Sequence, residues 1–293
     1  MKRFLAKLAL LALLAAALSV ALALCAYPGK PPARFGPEVF RAIRVCSEAR
    51  PDAKVLVLGD SVANQIFATG PAMPASVAVA TCNQAVTPLG NRLLLDRWLA
   101  LNPQAEEVVY VALPGSFRND GARKHTFHYF IHPFSETGLL RSAPAEVRDH
   151  LAARFGRAVL DNASLRHLLY RNDRLYQFYE ERIVRIPSPG GGMPDVAVGQ
   201  IRAMKEACDR VGVRFRLAFP PVSAEAAPSA AYRASCVEAL RDVVPGIEGL
   251  FDGLRVEPKT DFKDGVHFTR ERLAKVQESL RRKILAGAGG VGP

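Results

Sequence analysis

The sequence predicts an α/β domain, a doubly wound parallel sheet of about five strands with helices on both faces, carrying a helical and aromatic insertion and preceded by an N-terminal transmembrane helix. Three observations predict it. Lys54–Leu58 and Glu107–Leu113 are short, nearly continuous apolar runs, the habit of strands buried on both faces of a parallel sheet. Such runs alternate with stretches of helical period, which is how parallel strands are connected. Hydrophobic residues make up 49% of the chain, enough to fill a large core and to exclude wholesale disorder.

The chain opens with Met1-Lys2-Arg3 and Lys7, followed by an uncharged apolar run from Leu8 to Ala26. A run of that length spans a bilayer as a helix, and its basic flank stays in the cytoplasm and sends the rest across. Residues 1–27 therefore read as a signal anchor, with a cleaved signal peptide, cut after Ala23 or Ala26, as the alternative. Both readings place the domain outside the cytoplasm, anchored to the inner membrane and facing the periplasm or secreted. Residues 28–36, rich in Pro and Gly, are a linker, and 37–293 form one domain.

Within that domain Pro37–Arg50 reads as a helix, Lys54–Leu58 as the first strand, Val62–Phe67 as a helix and Ser76–Thr81 as the second strand. Pro88–Leu101 follows as a helix with proline in its first turn, then Glu107–Leu113 as the third strand, closed by Pro114-Gly115. Residues 115–194 break the rhythm and are read as an insertion, an aromatic wall or lid beside the site. Alternation resumes with a helix from Asp195, a strand over Val213–Phe219, a helix over Ala231–Val243 and a fifth, weaker strand over Leu250–Val256. A last helix runs over Thr269–Leu285, capped by Thr269.

Ser61 stands directly after the first strand and before a helix, where ligands meet the carboxyl ends of an open sheet. A serine there can attack a carbonyl if a base lies within reach. Asp264 precedes His267 by one short turn near the chain's end, a spacing that lets the carboxylate orient the imidazole as the serine's base. The chain order is Ser, Asp, His.

Val57-Leu58-Gly59-Asp60-Ser61 resembles the first block of the GDSL, or SGNH, hydrolases, and Asp264-Gly265-Val266-His267 resembles their last block, Asp-x-x-His. The resemblance implies a flavodoxin-like sheet and acyl-ester chemistry that needs no metal and no cofactor. It also implies an oxyanion hole made by the Ser61 amide, a glycine after the second strand and an asparagine after the third. Gly90 is the best match for the glycine. Asn119 is the match for the asparagine, although two extra residues separate it from Gly115, and Asn83 is the substitute. Exported, anchored members resemble enzymes that add or remove O-acetyl groups on envelope or secreted carbohydrate. The expected activity is thus a serine esterase or O-acyltransferase acting on acylated carbohydrate or another ester. A lipase or lysophospholipase, and an inactive binding protein on the same fold, are the alternatives.

The net charge is +11, and discounting Lys2, Arg3 and Lys7 leaves +8 on the exported part. With no nucleic-acid motif beside it, this charge reads as solubility or attraction to anionic surfaces, and nucleic acid is not an expected partner. Cys46, Cys82, Cys208 and Cys236 could form two disulfides in an oxidising compartment, Cys208 and Cys236 flanking one strand, or remain buried thiols. His125, His128 and His132 share a helical spacing, but the interleaved aromatics favour a wall over a metal site.

Overall fold

A computed structural model describes residues 2–25, 36–118, 125–182 and 192–286. The elements in order are α1 (Lys2–Cys25), α2 (Pro37–Cys46), β1 (Val55–Gly59), α3 (Ser61–Phe67), β2 (Val77–Thr81), α4 (Thr87–Leu101) and β3 (Glu107–Val111). Then come α5 (His132–Glu136), α6 (Ala145–Phe155), α7 (Arg157–Asp161), α8 (Ala163–Arg171) and α9 (Asp173–Arg182). The chain closes with α10 (Asp195–Arg210), β4 (Arg214–Ala218), β5 (Val222–Ser223), α11 (Ala230–Leu240), α12 (Ile247–Asp252), β6 (Val256–Glu257) and α13 (Arg270–Leu285).

The main sheet is parallel and four-stranded, in the order β2-β1-β3-β4. Side chains alternate across it with the period of a strand. Leu56 and Leu58 of β1 and Val108 and Tyr110 of β3 join a core with α2, α4, α10 and the insertion. Val55, Val57, Val109 and Val111 face the opposite way, onto α3 and α13. Both faces are covered, and that is why Val55–Leu58 and Val108–Val111 carry buried apolar or aromatic residues at consecutive positions rather than at every second one.

The fifth strand is corrected. Ile247 to Asp252 is helical, starting at Gly246 with φ +80°, and its apolar residues Ile247 and Phe251 are spaced for one helix face and bury together. Only Val256 and Glu257 are extended, and they pair with Val222 and Ser223 in a separate two-stranded parallel ladder. Pro220 and Pro221 offer no amide, so the chain leaves the main sheet after β4.

Lys2–Cys25 is a helix, but among the described residues no helix is long and apolar enough to cross a membrane. Cys46, Cys82, Cys208 and Cys236 are all buried free thiols, so neither disulfide forms.

Candidate active site

The site is assembled at the carboxyl edge of the sheet, where β1 turns into α3. Gly59 ends β1 in a place no side chain could occupy: a Cβ there would lie 2.2 Å from the Val111 carbonyl oxygen and 2.5 Å from Ala63 Cβ. The glycine thus lets β3 and α3 close on the junction.

Asp60 follows, 2% exposed, and caps α3. Its Oδ1 accepts the amides of Val62 (3.0 Å) and Ala63 (3.3 Å), while its Oδ2 accepts the Leu113 amide (2.7 Å) and the Ser116 hydroxyl (2.8 Å). Burial pushes this carboxyl up from its ordinary value, against the pull of those four donors. Asp60 therefore ties the β1–α3 junction to the segment after β3. A helix start leaves four amides without intrahelical partners. Three are accounted for, since Asp60 itself donates to Val111 O (3.3 Å) and the Val62 and Ala63 amides go to its carboxylate. The fourth is the amide of Ser61.

Ser61 Oγ lies 2.8 Å from His267 Nε2, and His267 Nδ1 lies 2.9 Å from Asp264 Oδ2. Asp264 Oδ1 also accepts the His267 amide at 2.8 Å and the Val266 amide at 3.3 Å, so one carboxylate shapes the turn and orients the ring. Loss of hydration raises the Asp264 carboxyl, but the donors from His267 and Val266 together outweigh it and hold the group below its ordinary value. It is an anion at neutral pH, suited to fix the Nδ1–H tautomer and leave Nε2 to accept from the serine.

The base loop is held on three sides. Gln65, one turn beyond Ser61 on α3, donates through Nε2 to Phe268 O (2.8 Å) and accepts the Phe268 amide through Oε1 (2.9 Å). On the far side the Ser223 amide donates to Gly265 O at 3.1 Å, and Gly265 takes φ +84° to make the turn. Thr269 caps α13 through the Arg272 amide (3.2 Å), as the sequence predicts. From α13, Gln277 and Arg281 donate to the carbonyls that end α3, at Ile66 (2.8 and 2.9 Å), Phe67 (3.3 Å) and Thr69. The helix that follows His267 thus closes the helix that carries Ser61.

The oxyanion donors fare differently. Gly90 lies in the second turn of α4, where a backbone amide bonds the carbonyl four residues back. It is buried, and a Cβ there would meet Val86 at 2.5 Å and the Phe130 ring at 3.2 Å. Its lack of a side chain lets α4 pack closely against the insertion. Asn119 lies outside the described residues. Asn83 follows β2, and because Gly59 pairs with Thr81, Asn83 stands level with Ser61 along the sheet. Its Oδ1 caps a short 3₁₀ turn through the Ala85 amide (2.9 Å), which fixes the orientation of its side-chain amide.

The aromatic stretch is core and not a lid. Phe127, Phe130, Ile131 and Phe134 are fully buried in the larger core. His128 meets the Tyr176 ring edge-on at 4.4 Å, and His132 stacks on Tyr170 at 3.7 Å. Their imidazoles pack on different tyrosines, and among the described residues no group of three His, Cys, Asp or Glu is arranged to hold a metal.

Sequence reasoning missed Asp60's network and Gln65. An Asp directly before an apolar helix is a capping signal that points to the first. Gln65 carries no local signal, because its partner lies 203 residues away. Compared with protein-family models, with curated proteins and with solved structures, the chain matches none.

Proposed function

We propose that this chain is an extracytoplasmic serine acyl-ester hydrolase or O-acyltransferase of the SGNH type, acting on acylated carbohydrate. The single observation that carries the reading is the unbroken contact chain from Ser61 through His267 to Asp264, built from segments more than two hundred residues apart. The resemblance of the two terminal motifs to those of the SGNH hydrolases agrees with it.

In this mechanism His267 Nε2 takes the Ser61 proton as Oγ bonds to the ester carbonyl carbon. The carbonyl electrons move to oxygen, where the Ser61 amide, with Asn83 or Asn119, holds the oxyanion. The tetrahedral adduct collapses, the C–O bond to the leaving alcohol breaks, and His267 returns the proton to that alcohol. Water or a sugar hydroxyl then attacks the acyl-serine by the same steps in reverse, giving an esterase or a transferase. Asp264 stays ionised and steadies the imidazolium.

The anchored location rests on the basic start and the apolar run to Ala26. Leu8, Leu10, Leu11, Leu13, Leu14 and Leu18 are all exposed around α1, which suits a helix that meets lipid. Carbohydrate as substrate rests on that location and on the family resemblance.

The test gives the full chain p-nitrophenyl acetate with and without an oligosaccharide acceptor, follows the acetyl group by mass spectrometry, and repeats both with Ser61→Ala. Acetyl on Ser61 of the parent alone, passing to water or sugar, is the expected result and separates esterase from transferase. Activity that rises steeply with acyl length would favour a lipase. Equal, feeble turnover by both proteins on short and long esters would overturn catalysis and leave a binding protein.

A further inference from the structure

A groove of ≈ 610 Å³ opens between α2 and the insertion, lined by Pro37, Phe40, Arg41, Arg44, His132 and Tyr170. One end of it reaches the nucleophile's helix. Arg41 Nη2 donates to Asn64 Oδ1 at 2.5 Å, an oxygen that also lies 3.4 Å from Thr81 Oγ1. Asn64 is three residues beyond Ser61, on the same helical face, and Thr81 pairs with Gly59. The arginine end of the groove therefore abuts the sheet edge that carries Ser61.

The lining has two chemical halves. Arg41 and Arg44 supply planar guanidinium forks suited to a carboxylate, and no acidic residue lines the groove. Opposite them Tyr170 and His132 lie as a parallel stack, 18° between planes, beside Phe40, which is 38% exposed. His132 is only 5% exposed, yet its Nδ1 has no hydrogen-bond partner, the nearest carboxylate being Glu136 at 4.0 Å. Burial first, then His167, His128 and Arg166, lower this imidazole to about 4, so it presents a neutral ring.

We propose that this groove binds an acidic sugar unit of the carbohydrate whose acyl group passes through Ser61. The carboxylate lies on Arg41 and Arg44, and the sugar face lies against the aromatic half. Uncharged sugars would leave the Arg44 guanidinium and the free edge of Arg41 without an anionic partner. The link to Ser61 rests on the acyl-transfer reading; the sugar site itself does not.

Calorimetric titration of the full chain carrying Ser61→Ala, in detergent, tests it with two probes, hexagalacturonate and its fully methyl-esterified form. The acid oligomer is expected to bind at least about tenfold more tightly than the ester, with an affinity that falls as salt rises. Arg44→Gln on the same background is expected to lower the acid oligomer's affinity about five- to tenfold at an unchanged melting temperature, and Arg44→Lys to recover part of it. Equal affinity for the two oligomers, no binding of either, or undiminished binding to Arg44→Gln would overturn the proposal. Acyl-Ser61 in the parent without oligomer binding would remove the groove alone. Binding without any acyl-serine would keep the sugar site and overturn its tie to Ser61.

Discussion

The two halves of the site are built in opposite ways. The nucleophile stands on a junction that the sheet itself defines: β1 is buried throughout, Gly59 admits β3 and α3, and Asp60 spends its carboxylate on four protein donors. The base stands on an irregular loop whose aspartate is 48% exposed and whose position depends on long-range side-chain contacts from Gln65. Asp60 and Asp264 make the contrast sharp. Burial pushes the first carboxyl up, while close donors hold the second down. The first aspartate is a structural pin, and the second is an electrostatic partner for the His267 ring. A rigid nucleophile facing a side-chain-tethered base means that damage on one side should appear as lost stability and on the other as lost turnover.

The largest expected effect is on the base side. His267→Ala should lower kcat by at least about 10⁴ at unchanged melting temperature, measured on p-nitrophenyl acetate. On the nucleophile side, Asp60→Ala strands two amides at the start of α3, the Leu113 amide and the Ser116 hydroxyl. It should cost about 3 kcal/mol in urea denaturation, with any activity lost through unfolding. Asn83→Ala should lower kcat about 10²-fold with KM little changed, if its side-chain amide holds the oxyanion; an undiminished kcat would hand that role to Asn119. Gln65→Ala should lower kcat about tenfold by loosening the base loop, with less than about 1 kcal/mol lost in stability. An equal kcat would show that Ser223 and the Asp264 turn suffice.

The smallest effect lies in the insertion and concerns pH. The folded value of His132 is about 4, below the ordinary value of 6.5, so the unfolded chain binds the extra proton first as pH falls. Stability from this residue is present above about 6.5 and declines between 6.5 and 4. The melting temperature should slope downward across that window, and His132→Phe should flatten the slope.

How much of this was legible in the sequence follows the same division. The strands β1, β2 and β3 are largely apolar runs set by local sequence, β4 alternates before its apolar end, and each lies within a residue or two of where the pattern puts it. Ser61, Asp264 and His267 were legible because a strand–helix junction and a three-residue turn are both local signals. The fifth strand, read over Leu250–Val256, was misread because Leu250 and Phe251 fit a short apolar run as well as the end of a helix, and only packing decides. The close approach of Gly90 to Phe130 was not legible, because a glycine needed for packing looks, in sequence, like one needed for a free amide. The Gln65 clamp and the Arg41–Asn64 contact join segments distant in the chain and have no period to betray them.

The most direct measurement is the rate of labelling of the folded full chain by a fluorophosphonate, with the adduct mapped by mass spectrometry, for the parent, Ser61→Ala and His267→Ala. The account predicts one adduct on Ser61, absent from Ser61→Ala and formed at least a hundredfold more slowly in His267→Ala, since the serine then lacks its base. No adduct on the folded parent, or labelling of His267→Ala at the parent's rate, would contradict a working Ser61–His267–Asp264 triad.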